Sequence, residues 1–108
     1  MSNSRLQFEP VRSSGFAAIL AGYTPVGTPT VNVCVQFLIQ NLTDQSVMLS
    51  FDGVNDHFPL PSDGFFLDDV GSNATGANGL VLPANSQLFV KQLSGAPGSG
   101  AVYFTVAY

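Results

Sequence analysis

The sequence predicts an all-β protein, an antiparallel β-sandwich or barrel with seven to eight short strands and an N-terminal arm. Apolar and polar residues alternate over short stretches, which is the period of a strand with one buried face. Gly, Pro, Asn and Asp residues separate these stretches at intervals of roughly ten residues, a spacing typical of sandwiches and barrels. No stretch repeats its apolar residues with the period of an amphipathic helix.

The chain of 108 residues has the length of one folded domain. We divide it into an N-terminal arm, residues 1–14, and a β-sandwich domain, residues 15–108. Residues 1–14 are polar and carry two of the three cations of the chain, and they could equally form an irregular first strand. A short apolar stretch at 15–20 precedes a loop at 21–30, where two Gly and two Pro residues interrupt any regular element.

The strongest strand signal lies at residues 31–41, where every second residue from Val31 to Ile39 is apolar. Further strands are predicted at 46–51, 57–60, 64–70, 79–82, 86–93 and 101–108. Proline residues restrict the strand at 57–60 to a sheet edge, because proline donates no hydrogen bond to a neighbouring strand. We expect these strands to bury aromatic rings in the core, namely Phe37, Phe51, Phe65, Phe89 and Phe104.

The chain carries unusually little charge: 9% of its residues are charged and 45% are hydrophobic. A typical soluble domain has about a quarter of its residues charged. A small sheet protein with so few charges exposes weakly hydrated faces and strand edges, which favours association. We therefore expect a surface that other protein subunits cover, and a homo-oligomer.

The balance of charge argues against two classes of partner. The net charge is −4 and there are only three Lys and Arg residues. Nucleic acids and anionic membranes are both bound through clusters of cations, so we expect neither as a partner. Residues 1–10 lack the apolar core of a signal peptide, and no apolar run reaches the ~20 residues that span a bilayer. We expect synthesis in a cytoplasm.

No residue pattern indicates catalysis or a cofactor. His57 is the only histidine, and the sequence has no Gly-x-Ser-x-Gly motif around a nucleophile. A zinc site at His57 needs two or three further ligands, and the turn from Asp52 to Asp56 does not match a calcium-binding loop. The single Cys34 excludes an intramolecular disulfide and is expected to be a small buried apolar residue. We predict that the protein is not an enzyme and has no cofactor and no metal.

A glycan- or receptor-binding module is an alternative, because some sandwich folds are lectins. Sugars usually stack on Trp or Tyr rings. The chain has no Trp and three Tyr residues, of which Tyr23 lies in a predicted loop.

Five short segments between residues 37 and 108 combine strand and turn residues in a recognisable order. They are IQNLT (39–43), VMLSFDGVNDH (47–57), LPSDG (60–64), FVKQ (89–92) and SGAVY (99–103). This pattern resembles the small structural proteins of tailed-bacteriophage virions. The resemblance covers about two-thirds of the chain and leaves the first 36 residues unmatched.

The resemblance implies a short jelly-roll sandwich that decorates or cements the phage head. Its partners would be the major capsid protein, other virion subunits and copies of itself, and its location would be the virion. A neck, collar or tail protein of the same particle is the alternative that the resemblance leaves open. We expect partner contacts through the N-terminal arm, at Arg5, Phe8 and Arg12.

Overall fold

The computed structural model describes residues 7–68 and 82–108. Within these ranges the chain forms eight strands and one short 3-10 turn at Phe16–Ala18. The strands are β1 (Arg12–Gly15), β2 (Thr24–Pro25), β3 (Gln36–Asn41), β4 (Val47–Ser50), β5 (Phe58–Leu60), β6 (Phe65–Asp68), β7 (Phe89–Gln92) and β8 (Ala101–Ala107). The prediction of an all-β protein is confirmed.

The strands form two four-stranded sheets in which all neighbours are antiparallel. Sheet A has the order β1-β8-β3-β6, and sheet B has the order β2-β7-β4-β5. Strands pair from the two ends of the chain inward, as β1 with β8, β2 with β7, β3 with β6 and β4 with β5. Successive pairs alternate between the sheets, which is the connectivity of an eight-stranded jelly roll. The predicted sandwich is therefore confirmed.

The core lies between the two sheets and is built from every second residue of their central strands. Ile39 on β3, Leu49 on β4 and Phe104 on β8 are completely buried. The ring of Phe104 packs 6.2 Å from the rings of both Phe37 and Phe51, measured between centroids. In β3, β4, β7 and β8, apolar residues at alternate positions face this core.

The predicted aromatic core is correct in part. Phe37 and Phe104 are buried, and Phe51 and Phe89 are half-buried. Phe65 is 68% exposed, so its assignment to the core was wrong. It lies opposite Gln40 in the sheet register, on the outward-facing side of β6.

Strand β3 begins five residues later than the alternation predicts. Val31 and Val33 are exposed, and Cys34 makes only an isolated bridge with Leu82. The backbone N–H groups of Val31 and Asn32 donate instead to the side-chain carboxylate of Glu9. These hydrogen bonds occupy N–H groups that would otherwise donate to a neighbouring strand. Residues 69–70 and 79–81 of other predicted strands lie outside the described residues.

Residues 7–14 were expected to belong to an arm, but they lie along β8 of their own chain. The N–H of Gln7 donates to the carbonyl of Tyr108 at 2.8 Å, and the N–H of Tyr108 donates back at 2.7 Å. Further along, the whole of β1 pairs with β8. This part of the segment is therefore an edge of sheet A, as the alternative of an irregular first strand implies.

Candidate functional site

The outward surface of sheet A is the candidate functional site, and we call it the sheet A face. The register of the strands places Phe65 beside Gln40, Leu67 beside Leu38, and Leu38 beside Thr105. Its members, all uncharged, are Phe8, Ser13, Gln36, Leu38, Gln40, Phe65, Leu67, Tyr103 and Thr105. Among the described residues, no carboxylate or cation extends from this face.

Large apolar side chains stand on the sheet A face. Phe8 is 62% exposed, Phe65 is 68% exposed and Leu67 is 54% exposed. Next to Phe8 lies an apolar hollow of about 100 Å³, which we call the Phe8 hollow. It is lined by Phe8, Gln36, Phe37, Leu38, Leu67, Thr105 and Ala107.

The charged side chains of the described residues lie elsewhere: Asp44, Asp52, Asp56 and Asp63 are in turns, and Asp68 of β6 lies opposite the buried Phe37. Asp44, in the turn after β3, accepts a hydrogen bond from the N–H of Gly98 at 2.8 Å. Asp52 and Asp56 lie in the loop after β4, and Asp56 forms an ion pair with Lys91 of sheet B at 3.0 Å. The structure therefore combines one uncharged sheet surface with charged turns.

The Glu9 and Arg12 side chains form an ion pair beneath the edge strand. Arg12 Nη2 lies 2.5 Å from Glu9 Oε1, and the two side chains are 7% and 4% exposed. Burial, the largest single influence, raises the pKa of Glu9. Hydrogen bonds from the backbone of Asn32 and Val31 and from the Arg12 side chain together outweigh it and lower the pKa to about 2. The carboxylate thus remains charged inside the protein.

Arg12 was expected to contact a partner, and the structure instead places it inside the chain. Its Nε donates to the carbonyl of Thr28 at 2.6 Å, and its Nη2 also donates to the carbonyl of Pro29 at 3.0 Å. The third nitrogen, Nη1, is buried without a hydrogen-bond partner. Of the three predicted contact residues, Phe8 is exposed and Arg5 lies outside the described residues.

A second group of polar side chains surrounds Tyr23 beside sheet B. The Tyr23 hydroxyl donates to Asp56 Oδ1 at 2.5 Å, and Lys91 Nζ lies 4.7 Å from the centroid of the Tyr23 ring. Burial and the neighbouring Asp56 raise the pKa of Tyr23. The ammonium group occupies one face of the ring that a sugar would need for stacking. No feature of this group favours the glycan-binding alternative.

His57 and Asp52 stabilise the loop after β4. Asp52 accepts hydrogen bonds from the N–H groups of Asn55 and Val54, both at 2.8 Å, and these lower its pKa. His57 Nδ1 accepts from the N–H of Phe51 at 3.0 Å. Each of these contacts fixes the backbone of a turn. Over residues 7–68 and 82–108, no three His, Cys, Asp or Glu side chains are grouped so that they could hold a metal ion.

Cys34 is completely buried, as expected from its position in an apolar stretch. Burial raises the pKa of its thiol, and the nearby Glu9 carboxylate acts in the same direction. Both influences suppress the reactive thiolate form.

None of the helical structure in the described ranges is long and apolar enough to cross a membrane. Comparisons of the chain with protein-family models, with curated proteins and with solved structures gave no match.

Proposed function

We propose that this chain is a structural subunit of a tailed-bacteriophage virion, a decoration or cement protein that binds the major capsid protein and neighbouring copies of itself. The observation that carries the proposal is the sheet A face. Its exposed Phe8, Phe65 and Leu67 have no charged neighbour on that face among the described residues.

A surface of this kind suits a permanent interface. The centres of protein interfaces are depleted of charge and enriched in aromatic residues, and obligate interfaces resemble a domain core cut in half. On a protein that stays free in solution, the same surface promotes non-specific association. A virion subunit avoids this hazard because assembly covers the face.

The fold gives a second, weaker line of support. Jelly rolls are common among viral capsid domains, and also among lectins. The resemblance of segments 39–43 and 47–57 to phage structural proteins points in the same direction.

The mechanism is burial of apolar surface, repeated over many contacts. Covering a large apolar side chain contributes roughly 1.5–3 kcal/mol. Three such side chains on one subunit give a modest contact alone. A lattice that engages several contacts at once binds far more tightly than any one of them.

Purified phage particles that contain the chain provide the test. Antibodies against the chain, applied to intact particles in the electron microscope, are expected to label the head. Quantitative mass spectrometry should then give a copy number near a multiple of about sixty, set by icosahedral symmetry. Labelling of the neck at about six or twelve copies would support the collar alternative. Absence of the chain from every purified particle would contradict the proposal.

A further inference from the structure

Phe8 and the Phe8 hollow lie side by side on the sheet A face. The Phe8 ring is 62% exposed and forms one rim of the hollow. The other walls come from β3, β6 and β8, through Leu38, Leu67 and Thr105. One surface therefore presents both a projecting aromatic ring and an apolar depression.

We propose that two copies of this chain associate through their sheet A faces about a two-fold axis, with Phe8 of each copy inserted into the Phe8 hollow of the other. This inference rests on the proposed function and deepens it, because it names a second copy as the partner that covers the face.

The arrangement is complementary to itself. In a two-fold interface the same patch is used twice, so a residue that contacts a second residue across the axis is matched by the reverse contact. A projection and a depression next to each other meet this requirement. Their sizes also agree: a cavity of ~150 Å³ encloses benzene, so an open hollow of about 100 Å³ accepts most of a phenyl ring.

The distribution of charge favours the sheet A face for contact between copies of the chain. The chain has a net charge of −4, so copies that approach through their charged turns repel each other. Approach through the sheet A face brings together side chains that are uncharged among the described residues. Asp68 of β6 alternates with Leu67 and lies opposite the buried Phe37, on the other side of the sheet. Gln36 and Thr105 can form hydrogen bonds across the axis without any charge.

The backbone on both sides of Phe8 is fixed, so the ring is held ready to bind. Gln7 and Glu9 are both hydrogen-bonded to β8, and the Glu9 side chain is anchored by Arg12. A side chain on a fixed backbone loses less conformational entropy when it binds than one on a free arm. The buried ion pair therefore contributes to association by positioning Phe8.

Sedimentation equilibrium over a wide range of concentration provides the first test. We expect a dimer for the wild-type chain. Phe8→Ala and Leu67→Glu are each expected to raise the dissociation constant by about tenfold or more, as for residues at the centre of an interface. Val54→Glu is the matched control: Val54 is 79% exposed in the loop after β4, beside the other sheet, and its substitution should leave the constant unchanged.

All three positions are exposed, so the variants are expected to fold, which circular dichroism checks. A monomer at every concentration would overturn the inference. So would a dimer that responds equally to Leu67→Glu and Val54→Glu.

Disulfide cross-linking tests the geometry itself. A Phe8→Cys protein mixed with a Leu67→Cys protein is expected to form a mixed dimer in oxidised glutathione faster than either protein alone. A mixture of Val54→Cys with Leu67→Cys should give none. The native Cys34 is completely buried and does not compete. Equal yields from the two mixtures would overturn the proposed contact.

The two proposals can fail separately. A monomeric chain that is nevertheless found in phage particles would refute the two-fold dimer and leave the virion role standing. If the chain forms the dimer with the predicted cross-link but no phage particle contains it, the virion role would be refuted and the two-fold dimer would stand.

Discussion

The carboxylate of Glu9 lies 2.5 Å from the guanidinium of Arg12 inside the sandwich, although the two residues are three positions apart on an extended segment. In a regular strand, positions three apart face opposite sides of the sheet. The register explains the difference: Phe8 lies opposite Ala107 and Arg12 opposite Phe104, so four steps on one strand match three on the other. The extra residue is a β-bulge that turns both side chains inward.

Glu9→Gln should destabilise the protein. The substitution leaves the Arg12 guanidinium buried without its counter-ion, and breaking a buried pair from one side typically costs ~3–5 kcal/mol. Urea denaturation followed by circular dichroism measures the loss. The double variant Glu9→Gln/Arg12→Met should recover part of it, because the uncompensated charge is gone. A free energy of unfolding unchanged in Glu9→Gln would contradict this account of the pair.

The same carboxylate makes stability depend on pH. The folded-state pKa of Glu9 is about 2, against an ordinary value of 4.5. A lowered pKa stabilises the folded state above pH 4.5, and this contribution is lost as the pH falls through the folded-state value. A difference of this size corresponds to ~3 kcal/mol. The free energy of unfolding should therefore fall between about pH 5 and 2, with a shallower slope in Glu9→Gln. If the free energy of unfolding depends on pH equally in the wild type and in Glu9→Gln, the Glu9 carboxylate is not the source of the pH dependence.

Phe104 belongs to the buried aromatic core, so its substitution should lower the free energy of unfolding far more than that of Phe65. Phe104 is completely buried and packs against Phe37 and Phe51, whose rings also contact each other. Phe104→Ala is expected to cost about 3–5 kcal/mol, because it leaves a cavity. Phe65→Ala removes a ring that is 68% exposed and should cost under about 1 kcal/mol. Thermal or chemical denaturation of the two variants gives the comparison, and similar losses would show that the core is wrongly placed.

Gly100 is required where the last loop enters β8. Its φ is +85°, and a Cβ at this position would lie 1.9 Å from the carbonyl oxygen of Leu42. Gly100→Ala should therefore cost about 3 kcal/mol or more, through backbone strain and a clash with main chain that cannot move easily. Gly22→Ala is the control, because nothing lies within 4 Å of a Cβ there. If the Gly100→Ala variant melts at the wild-type temperature, the backbone at residue 100 cannot have this positive φ and this close contact with Leu42.

The sequence predicted the central strands well because their apolar residues alternate with polar ones. This holds for β3 from Phe37 onward and for β8 from Val102 to Val106. The alternation is absent from β6, where Phe65, Phe66 and Leu67 are all apolar. The sequence pattern therefore does not show which of these side chains faces the core. It also misses β2, whose two residues, Thr24–Pro25, are too few to show a period.

The candidate site was predicted only at Phe8. Arg12 was expected to contact a partner because it lies in the segment predicted to be an N-terminal arm. The burial of Arg12 depends on the β-bulge and on the carboxylate of Glu9. The alternation of apolar and polar residues in the sequence indicates neither of them. The one residue that could have indicated the bulge is Pro10, since a proline within a strand often lies at a sheet edge or a bulge.

Hydroxyl-radical footprinting, read residue by residue by mass spectrometry, tests the central claim that other subunits cover the sheet A face. Oxidation rates would be compared between the isolated chain at high dilution and the chain within purified particles. The account predicts strong protection of Phe8, Phe65 and Leu67 in the particle, with Phe104 unreactive in both. Equal rates at those three exposed positions in both samples would contradict it.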